Sequence, residues 1–415
     1  MTATLEETTA PEAKAGLSRP VRITLYVVVG LVVLSLIRVI TGATDLTSNG
    51  TVSAALMLAV PIGLAGLGGL WSERAGVVNI GLEGMMILGT FGAGWIGWQH
   101  GPWAGVLMAV AFGAIGGLVH AVATVTFGVD HVVSGVAINI LGLGATQYLA
   151  GELLADTPGG GETQSPQISG LPKPSVPGLT SVLEPLESHH WFLLSDLAGI
   201  LRGLLTNVSI LTIISILLVI ATYVILWQTP FGLRLRSVGE DPHAAESLGV
   251  KVRLYKYVAV VVSGGLAGLA GAFLAIVASS LYREGQTGGR GYIGLAAMIF
   301  GNWRPGGLVA GAGLFGYTDA MQLRNATAVH ALLLVVFALL LVVTALNLYR
   351  RRWVTAGVGL VFAVLSLVWY LATDELPGPI TTMTPYVTTL LVLALAAQHL
   401  RMPKADGLVY RPEGK

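Results

Sequence analysis

Long runs of apolar residues, interrupted by short polar stretches, set the predicted architecture of this chain. A helix crosses the apolar layer of a bilayer with about 20 residues, and runs of this kind follow one another along most of the sequence. They predict about twelve spans, at residues 21–40, 51–70, 80–98, 102–127, 130–150, 206–227, 255–281, 291–303, 306–323, 329–348, 353–372 and 384–400. The pattern therefore predicts an all-α fold, a polytopic transmembrane helical bundle with little of its mass outside the bilayer.

One of these segments, residues 291–303, is too short to cross a core of about 30 Å, because an α-helix rises only about 1.5 Å per residue. The next apolar segment, residues 306–323, follows it almost at once. We therefore expect residues 291–303 to form a half-helix that meets its neighbour within the membrane.

The basic residues predict the orientation, because cytoplasmic loops are enriched in Lys and Arg. With both termini in the cytoplasm, most basic residues fall inside, including Arg350, Arg351 and Arg352, whereas Lys173 and Arg202 fall outside. The predicted divisions are a disordered tail at 1–20, a transmembrane core at 21–323 with an external loop at 151–205 and a cytoplasmic loop at 228–255, a further pair of spans at 324–380, and a last span with a basic tail at 381–415. In the external loop we expect one interfacial helix, around residues 191–201.

Composition supports a chain solvated mainly by lipid, since 54% of its 415 residues are hydrophobic and 11% are charged, against about 25% charged in a soluble domain. Many of the 55 glycines recur four residues apart within apolar runs, as at Gly113/Gly117, Gly264/Gly268 and Gly307/Gly311. Such spacing lets helices approach closely in lipid, which explains these glycines better than flexibility does. The absence of cysteine excludes disulfides and thiolate sites. A net charge of +1 without a basic, aromatic patch predicts no nucleic-acid partner.

The cytoplasmic loop contains a short helix with its own start and stop signals. Asp241 suits the N-cap, Pro242 the first helical position, and Gly249 the C-terminal stop. An exposed apolar knob that could enter a partner's groove would be formed by Ala244, Ala245 and Leu248. The flanking basic residues would equally suit an anchor on anionic lipid headgroups, and the spacing alone does not separate the two functions.

Motifs for chemistry are missing or accidental. No G-x-x-x-x-G-K-[ST] loop occurs, so any ATP that drives this protein must be hydrolysed by another subunit. Three G-x-G-x-x-G strings, beginning at Gly92, Gly289 and Gly311, lie in or beside apolar spans rather than between a strand and a helix, where the fingerprint has meaning. We predict no catalytic residue, no metal site and no cofactor bound by this chain.

Polar residues near membrane depth are the candidates for a substrate pathway, because such groups are costly there and usually face a cavity or one another. Around the break between two spans, Glu73 and Arg74 fit a simple charged pair in a cytoplasmic turn, with a helix start at Asn79. We assign Asn79 and Glu83 to the pathway, because they lie at the start of the next span.

Three further candidates are Asn139, Asn302 and Trp303. An amide that donates and accepts, beside an indole that stacks, suits a polar solute with a ring, such as a sugar or a nucleobase. Asn139 could also bridge two helices by a hydrogen bond, which is the commoner use of such a residue. His120 and the pair Asp130/His131 lie near a predicted helix end, where we expect structural roles.

Five strings, in the same order along the chain, resemble the permease subunits of bacterial ABC importers of the simple-sugar, branched-chain amino acid and nucleoside group. They are GGLWSERAGVVNIGLEGMM (68–86), DHVVSGVAINIL (130–141), TPFGLRLRSVGEDPHAAESLGV (229–250), GRGYIGLAAMIFGNWRPGG (289–307) and TPYVTTLLVLAL (384–395). Among these permeases, the chain is most similar to the nucleoside type.

The resemblance implies partners that the spacing does not. It implies a cytoplasmic ABC ATPase subunit that binds ATP and Mg, a second related permease in a heterodimer, and an extracellular, lipid-anchored substrate-binding protein, all at the bacterial plasma membrane. The ATPase coupling helix would then consist of Asp241, Pro242, His243, Ala244, Ala245, Glu246, Ser247, Leu248 and Gly249. The binding protein would dock near Arg283, Glu284 and Arg290. Residues 324–380 would be two spans inserted beside about ten core spans.

The sequence thus predicts a multi-pass permease subunit of an ATP-driven importer for nucleosides, which is not itself an enzyme. A simple-sugar permease is one alternative, because both solutes carry a ribose-like polyol. A secondary transporter driven by protons through Glu83 is another.

Overall fold

The helices of the protein follow the predicted apolar segments closely. The computed structural model describes residues 19–324, 326–383, 387 and 400–411. Its α-helices are α1 (Arg19–Thr41), α2 (Asn49–Arg74), α3 (Leu82–His100), α4 (Pro102–Ala121), α5 (His131–Leu154), α6 (Leu179–Ser188), α7 (Leu194–Leu205), α8 (Ile210–Gln228), α9 (Pro230–Glu240), α10 (Pro242–Ser247), α11 (Val252–Ala272), α12 (Arg290–Phe300), α13 (Pro305–Arg324), α14 (Ala326–Tyr349), α15 (Trp353–Ala372) and α16 (Gly378–Thr382). Most of the predicted tail at 1–20 and of the predicted last span at 384–400 lies outside the described residues.

Within the described ranges, seven helical segments are long and apolar enough to cross a membrane: Thr44–Arg74, Pro102–Thr126, His131–Leu154, Ile210–Gln228, Val252–Ala278, Thr327–Tyr349 and Trp353–Ala372. Two shorter apolar helices are Val27–Thr41 and Arg290–Phe300. The glycine-rich helices α3 and α13 match two other predicted spans in position. The polytopic helical fold is confirmed, whereas the count of about twelve spans stays a prediction.

The core of the bundle is built around α11 and α2. In their most apolar stretches, 83% and 61% of residues are buried, against 22% in α14 and 17% in α15. Helices α3, α4, α12 and α13 pack around the two central helices. Helices with mainly exposed apolar side chains are stable in this chain because lipid, rather than water, solvates them.

Close glycine contacts join α4 to α11, as the spacing predicts. A Cβ atom at Gly113 would lie 2.3 Å from the carbonyl oxygen of Gly264, and one at Gly117 would lie 2.5 Å from that of Val260. Gly268 is equally tight, since its Cβ would lie 2.1 Å from the carbonyl oxygen of Ala109. Only glycine allows the two backbones to approach this closely, and dispersion between them replaces the missing hydrophobic driving force.

The external loop contains two helices, α6 and α7, where we expected one. A buried ion pair fastens α7 to α1, with 2.7 Å between Nε of Arg38 and Oδ1 of Asp196. The other carboxylate oxygen of Asp196 accepts a hydrogen bond of 2.5 Å from the Ser35 hydroxyl, and Thr47 donates to Oδ1. Because its partners are in place, this buried charge is satisfied and the loop is held against the outer end of the bundle.

The helical hairpin of α14 and α15 lies at the edge of the bundle. The two helices pack mainly against each other, and α14 also contacts α1 and α13. The turn between them contains the cluster Arg350, Arg351 and Arg352, in which Arg351 has a left-handed φ of 57°. The hairpin occupies most of the predicted insertion at 324–380, whose status as an insertion stays a prediction.

A larger side chain at the α4 and α11 contact should destabilise the bundle. We expect Gly268→Ala to lower the free energy of unfolding by about 1–3 kcal/mol, because the new methyl group meets backbone that cannot move aside. Gly144→Ala on α5 is the matched control, since no atom beyond its own stretch of helix lies within 4 Å of its Cβ position. Thermal unfolding in detergent measures both variants, and equal melting temperatures would contradict the packing argument.

Candidate functional site

The connection between α2 and α3 returns into the bundle after α2 ends at Arg74. Gly76 adopts a left-handed φ of 77°, and the Ser72 hydroxyl donates a 2.5 Å hydrogen bond to the carbonyl of Val77. Helix α3 begins at Leu82, not at Asn79 as the sequence suggested, because residues 75–81 form this irregular connection. Within the apolar layer of a membrane, non-helical backbone is tolerated only where other groups of the protein form hydrogen bonds with its N–H and carbonyl groups.

Two histidines secure the connection from neighbouring helices. The His120 ring on α4 lies 3.0 Å from the Val78 carbonyl through Nε2 and 2.8 Å from the Ser134 hydroxyl through Nδ1. The carbonyl can only accept, so Nε2 carries the proton of the neutral ring. The backbone N–H of Val78 in turn donates to Nδ1 of His131 at 3.3 Å. These contacts fit the structural roles expected of the histidines.

Asp130 also takes a structural position, because its carboxylate caps α5 by accepting from the backbone N–H groups of Val132 and Val133. Such a cap satisfies donors that the first turn of a helix leaves free.

Glu83, in the first turn of α3, holds the beginning of the half-helix α12. One carboxylate oxygen accepts from the backbone N–H of Gly289 at 2.9 Å, and the other accepts from that of Gly291 at 2.7 Å. The side chain is buried, and a carboxylate at a helix N-terminus is stabilised by both the free donors and the helix dipole. Glu83 therefore acts as an external cap that allows α12 to begin inside the bundle.

The other end of α12 is held from the end of α2. The Trp303 indole N–H donates to Oε2 of Glu73 at 2.6 Å, and the Arg74 guanidinium donates to the Trp303 carbonyl at 2.6 and 3.0 Å. The simple pair of Glu73 with Arg74 is therefore wrong, since both side chains bind Trp303 instead. The short segment between the end of α2 and the start of α3 therefore contacts α12 at both ends, through Glu83 at its start and through Glu73 and Arg74 just after its end.

Helix length places the two ends of α12 at different depths. Its 11 residues span about 16 Å, roughly half of an apolar core of about 30 Å. The end near Trp303 lies beside Arg74 and Arg304, at the end of the bundle predicted to be cytoplasmic, which we call the inner end. We infer that the end held by Glu83 lies at about half the depth of the apolar layer, so α12 has the length and position of a half-helix. It meets α13 at the inner end, however, and not within the membrane as the sequence predicted.

Beside this midpoint, Asn139 of α5 joins three segments. Its carbonyl oxygen accepts from the Gly84 N–H at 2.7 Å, and its amide donates to the Ile80 carbonyl at 3.1 Å and to the Tyr292 hydroxyl at 2.8 Å. The Tyr292 residue is 46% exposed, so one side of this polar group is accessible. Asn139 thus bridges helices and also borders an open surface.

The open surface continues along α5. Its exposed residues include Ile140 and Tyr148, and the amide of Gln147 donates to Glu284 from the external connection. An apolar wall with a few placed polar groups can bind a solute that has both a ring and hydroxyl or amide groups. Tyr292 and Gln147 were missed in the sequence, although a tyrosine at the start of the half-helix was a signal available there.

The other predicted pathway residues lie away from this surface. Asn79 is completely buried, and its amide donates to the Ser263 hydroxyl of α11 at 2.8 Å. Trp303 is buried and Asn302 is half-buried in the turn after α12, at the inner end. Both have left-handed φ values, 51° and 55°. Their geometry favours positioning of α12, and a direct contact with substrate stays a prediction for them.

The predicted capped helix of the inner loop is α10. Asp241 accepts from the Ala244 N–H at 2.9 Å, Pro242 begins the helix, and Gly249 follows it with a φ of 81°. The preceding residues, predicted as loop, form the helix α9.

The predicted knob on α10 is partly wrong. Ala245 is 2% exposed, because it packs against Val238 and Val252, whereas Leu248 is 84% exposed. A single exposed apolar side chain is common on proteins, so Leu248 is a candidate contact for a partner because of its position beside a capped helix, not because of its exposure alone. Ala244 and Ser247 are also exposed, so one face of α10 is free to meet a partner.

At the predicted docking site on the outer side, the three residues have different surroundings. Arg283 is exposed, and Glu284 accepts from Gln147. Arg290 is partly buried and lies 3.3 Å from the Asp319 carboxylate of α13. Arg290 therefore stabilises the start of α12, and its part in docking stays a prediction.

Comparison with known proteins supports the resemblance. A family model described as the permease component of the branched-chain amino acid transport system matches residues 51–346. The chain is 32% identical over 367 residues to the guanosine ABC transporter permease protein NupQ of Bacillus subtilis, covering 86% of this chain and 95% of that protein. It is 31% identical over 363 residues to the nucleoside ABC transporter permease protein NupC of Lactococcus lactis, covering 86% and 94%.

A third relative has a different assigned solute. TsgC13 of Haloferax volcanii, an ABC transporter permease protein assigned provisionally to glucose, is 37% identical over 280 residues, covering 67% of this chain and 77% of that protein. No solved structure matches the chain with significance.

Removal of the Glu83 carboxylate should release the start of α12. We expect Glu83→Ala to lower the free energy of unfolding by about 2–4 kcal/mol, because two buried N–H groups lose a charged acceptor. Glu83→Gln keeps one acceptor oxygen and should lose about half as much. Thermal unfolding in detergent compares them, and an alanine variant as stable as the wild type would contradict the capping role.

Proposed function

This chain belongs to the family of permease components named for the branched-chain amino acid transport system, and from that premise we propose that it carries nucleosides through the plasma membrane as one permease subunit of an ATP-binding-cassette importer. Its many apolar helices make it a multi-pass membrane protein. The nucleoside assignment is supported by the two relatives whose names specify guanosine and nucleosides.

The observation that carries the proposal is the half-helix α12, which begins near the middle of the membrane beside an open polar surface. Discontinuous helices form substrate sites in transporters, because their ends offer backbone groups at a depth where continuous helices offer none. Here Glu83 occupies the first N–H groups of α12, so the neighbouring side chains Asn139 and Tyr292 remain to meet the solute.

The chemistry of this surface fits a nucleoside. The half-exposed Tyr292 ring can stack on a nucleobase, while the amides of Asn139 and Gln147 can hydrogen-bond to base edges or ribose hydroxyls. The same hydroxyl groups occur in a sugar, but a sugar has no flat aromatic face to stack on the ring. The C–H face of a sugar can still pack on a tyrosine ring, so this side chain suits both solutes, and the names of the two nucleoside relatives favour the nucleoside.

The geometry also favours ATP over a proton gradient as the energy source. A proton-coupled mechanism needs a carboxyl group that can gain and lose its proton during transport. Both oxygens of Glu83 are instead engaged by the backbone of α12, which requires them as acceptors. Glu83 therefore suits a structural cap, and energy would come from a partner subunit.

We assign that partner to the exposed face of α10. A cytoplasmic ATPase, carrying the ATP and Mg, would receive Leu248 in a surface groove, and α10 would pass its movement to the bundle. A second permease would cover the open surface of α5 and complete the pathway between the two subunits. A lipid-anchored binding protein would deliver solute at the outer side, near Arg283.

A charge on the exposed tip of α10 should prevent ATPase docking. We expect Leu248→Asp to abolish co-purification of the ATPase subunit, because a carboxylate cannot be buried unpaired in an apolar groove. Leu248→Met, which keeps an apolar side chain of similar size, is the matched control and should retain the ATPase. Both variants should insert normally, and retained association in Leu248→Asp would mean that the loop is only a lipid anchor.

Competition for uptake should identify the solute class. In a strain deleted for the chromosomal importer and expressing this one, we expect unlabelled uridine or adenosine to inhibit uptake of labelled nucleoside. Ribose and glucose should have little effect at the same concentration, because they lack the nucleobase. Inhibition by the sugars alone would reject the nucleoside assignment, and uptake in vesicles without any ATPase would reject the importer.

A further inference from the structure

The last described segment of the chain, residues 400–411, lies across the inner end of the bundle, and we call it the C-terminal strap. It joins α9 through the backbone, where the Ala405 N–H donates to the Gly239 carbonyl at 2.9 Å. A Cβ at Gly239 would lie 2.3 Å from the carbonyl oxygen of Arg74, so α9, the strap and the end of α2 meet at one point.

The strap also packs beneath the proposed coupling helix α10. Tyr410 is 8% exposed and shares an apolar cluster with Ala245, the buried residue of α10. Its ring centroid lies 5.4 Å from that of His243, which is also on α10. One side of α10 thus rests on the strap, while the Leu248 side remains exposed.

At its other end, the strap contacts the turn that closes α12. The Arg401 N–H donates to Oδ1 of Asn302 at 2.7 Å. Asn302 and Trp303 both hold left-handed backbone conformations in this turn, and Trp303 is bound by Glu73 and Arg74. The turn is therefore a strained segment fixed by contacts from α2 and from the strap.

Between these two ends, Asp406 is buried against charged groups from two helices. The carboxylate faces Glu73 and Arg74 of α2 and Lys256 of α11, and burial raises the pKa of Asp406 to about 7. Lys256 donates to the Gly76 carbonyl at 3.2 Å, and its ammonium lies 6.0 Å from the centroid of the Tyr410 ring. Burying this acidic side chain costs free energy, so the other contacts of the strap, at Ala405 and Tyr410, must offset that cost.

The proposed coupling helix and the half-helix pack mainly on different helices, although α9 and α11 also contact α2. Helix α10 packs mainly on α9 and α11, whereas α12 packs mainly on α2, α3 and α13. The strap touches members of both groups: Ala405 and Tyr410 contact α9 and α10, and the Arg401 N–H binds Asn302 in the turn after α12. It is therefore a second path from the ATPase-facing helix to this turn, beside the one that runs from α9 through Arg74 to Trp303.

We propose that the C-terminal strap is a mechanical link that transmits movement of α10 to the inner end of α12, with the Arg401 N–H as the contact that moves the turn. This inference rests on the proposed function, because it takes α10 as the ATPase coupling helix. The strap then moves with α9 and α10 as one body, and Asn302 and Trp303 are positioning residues of the transport cycle.

A proline at position 401 tests the link directly, because proline has no backbone N–H to donate to Asn302. We expect Arg401→Pro to retain ATPase association and ATP hydrolysis but to lower nucleoside uptake per ATP by about tenfold, which corresponds to about 1.4 kcal/mol of lost coupling. Arg401→Ala, which keeps the N–H, is the matched control and should behave as wild type. Equal coupling ratios in the two variants would overturn the proposal.

A cross-link and a truncation provide independent readouts. The chain contains no cysteine, so Glu240→Cys with Lys404→Cys yields a single pair at the place where the Lys404 N–H points to the Glu240 carboxylate at 3.4 Å. Joining this pair should leave uptake unchanged if the strap and α9 move together, and loss of uptake only after joining would overturn that part. A stop codon at position 401 should uncouple uptake from hydrolysis as the proline does, with wild-type uptake overturning the link.

Failure of the proposed function gives a different result. If the wild-type chain neither retains an ATPase nor supports ATP-dependent uptake, the coupling helix itself is wrongly assigned. If it does both and the proline variant keeps full coupling, only the strap proposal fails. Thermal unfolding of each variant checks that lost coupling does not come from lost folding.

Discussion

The two hydrogen bonds from α12 to the Glu83 carboxylate are the interaction on which the rest of this structure depends. A helix that begins within a membrane leaves its first N–H groups with no water to bind, and each unpaired group there is costly. Glu83 supplies both acceptors and a charge that the helix dipole favours. The break in the chain is possible only because a residue from another helix closes it.

That requirement explains the arrangement around the break. Glu83 can reach α12 only if the connection after α2 returns to mid-depth, and His120 and His131 hold that connection in place. The same short segment binds Trp303 at the other end of α12 through Glu73 and Arg74. The half-helix α12 is therefore fixed at both ends by hydrogen bonds. Movement of either end requires movement of the α2–α3 connection or of the inner turn.

The half-helix α12 lies between the tightly packed core of the bundle on one side and the exposed surface of α5 on the other. Glycine contacts bring α4 and α11 to backbone distance, so the core has little room to deform. Helix α5 instead leaves its apolar wall exposed beside Asn139 and Tyr292, where a second permease and a solute could meet. A stiff core with an open flank is suited to alternating access, in which one body moves against another around a fixed site.

The sequence alone determined the long apolar helices, the short length of α12 and the caps of α10, but not α6 or α9. Apolar run length and capping residues act locally, which is why they can be interpreted without the fold. The sequence also carried the resemblance that identifies the family. Only the tertiary structure decided where the polar residues point. Glu83, Asn79 and Asn302 looked alike as polar residues near membrane depth, yet one caps a helix, one pairs with α11 and one anchors the strap. Their partners lie as many as 208 residues away in the chain, and no local pattern records which distant backbone group will meet a given side chain. The burial of Ala245 and the role of Trp303 were hidden from the sequence for the same reason.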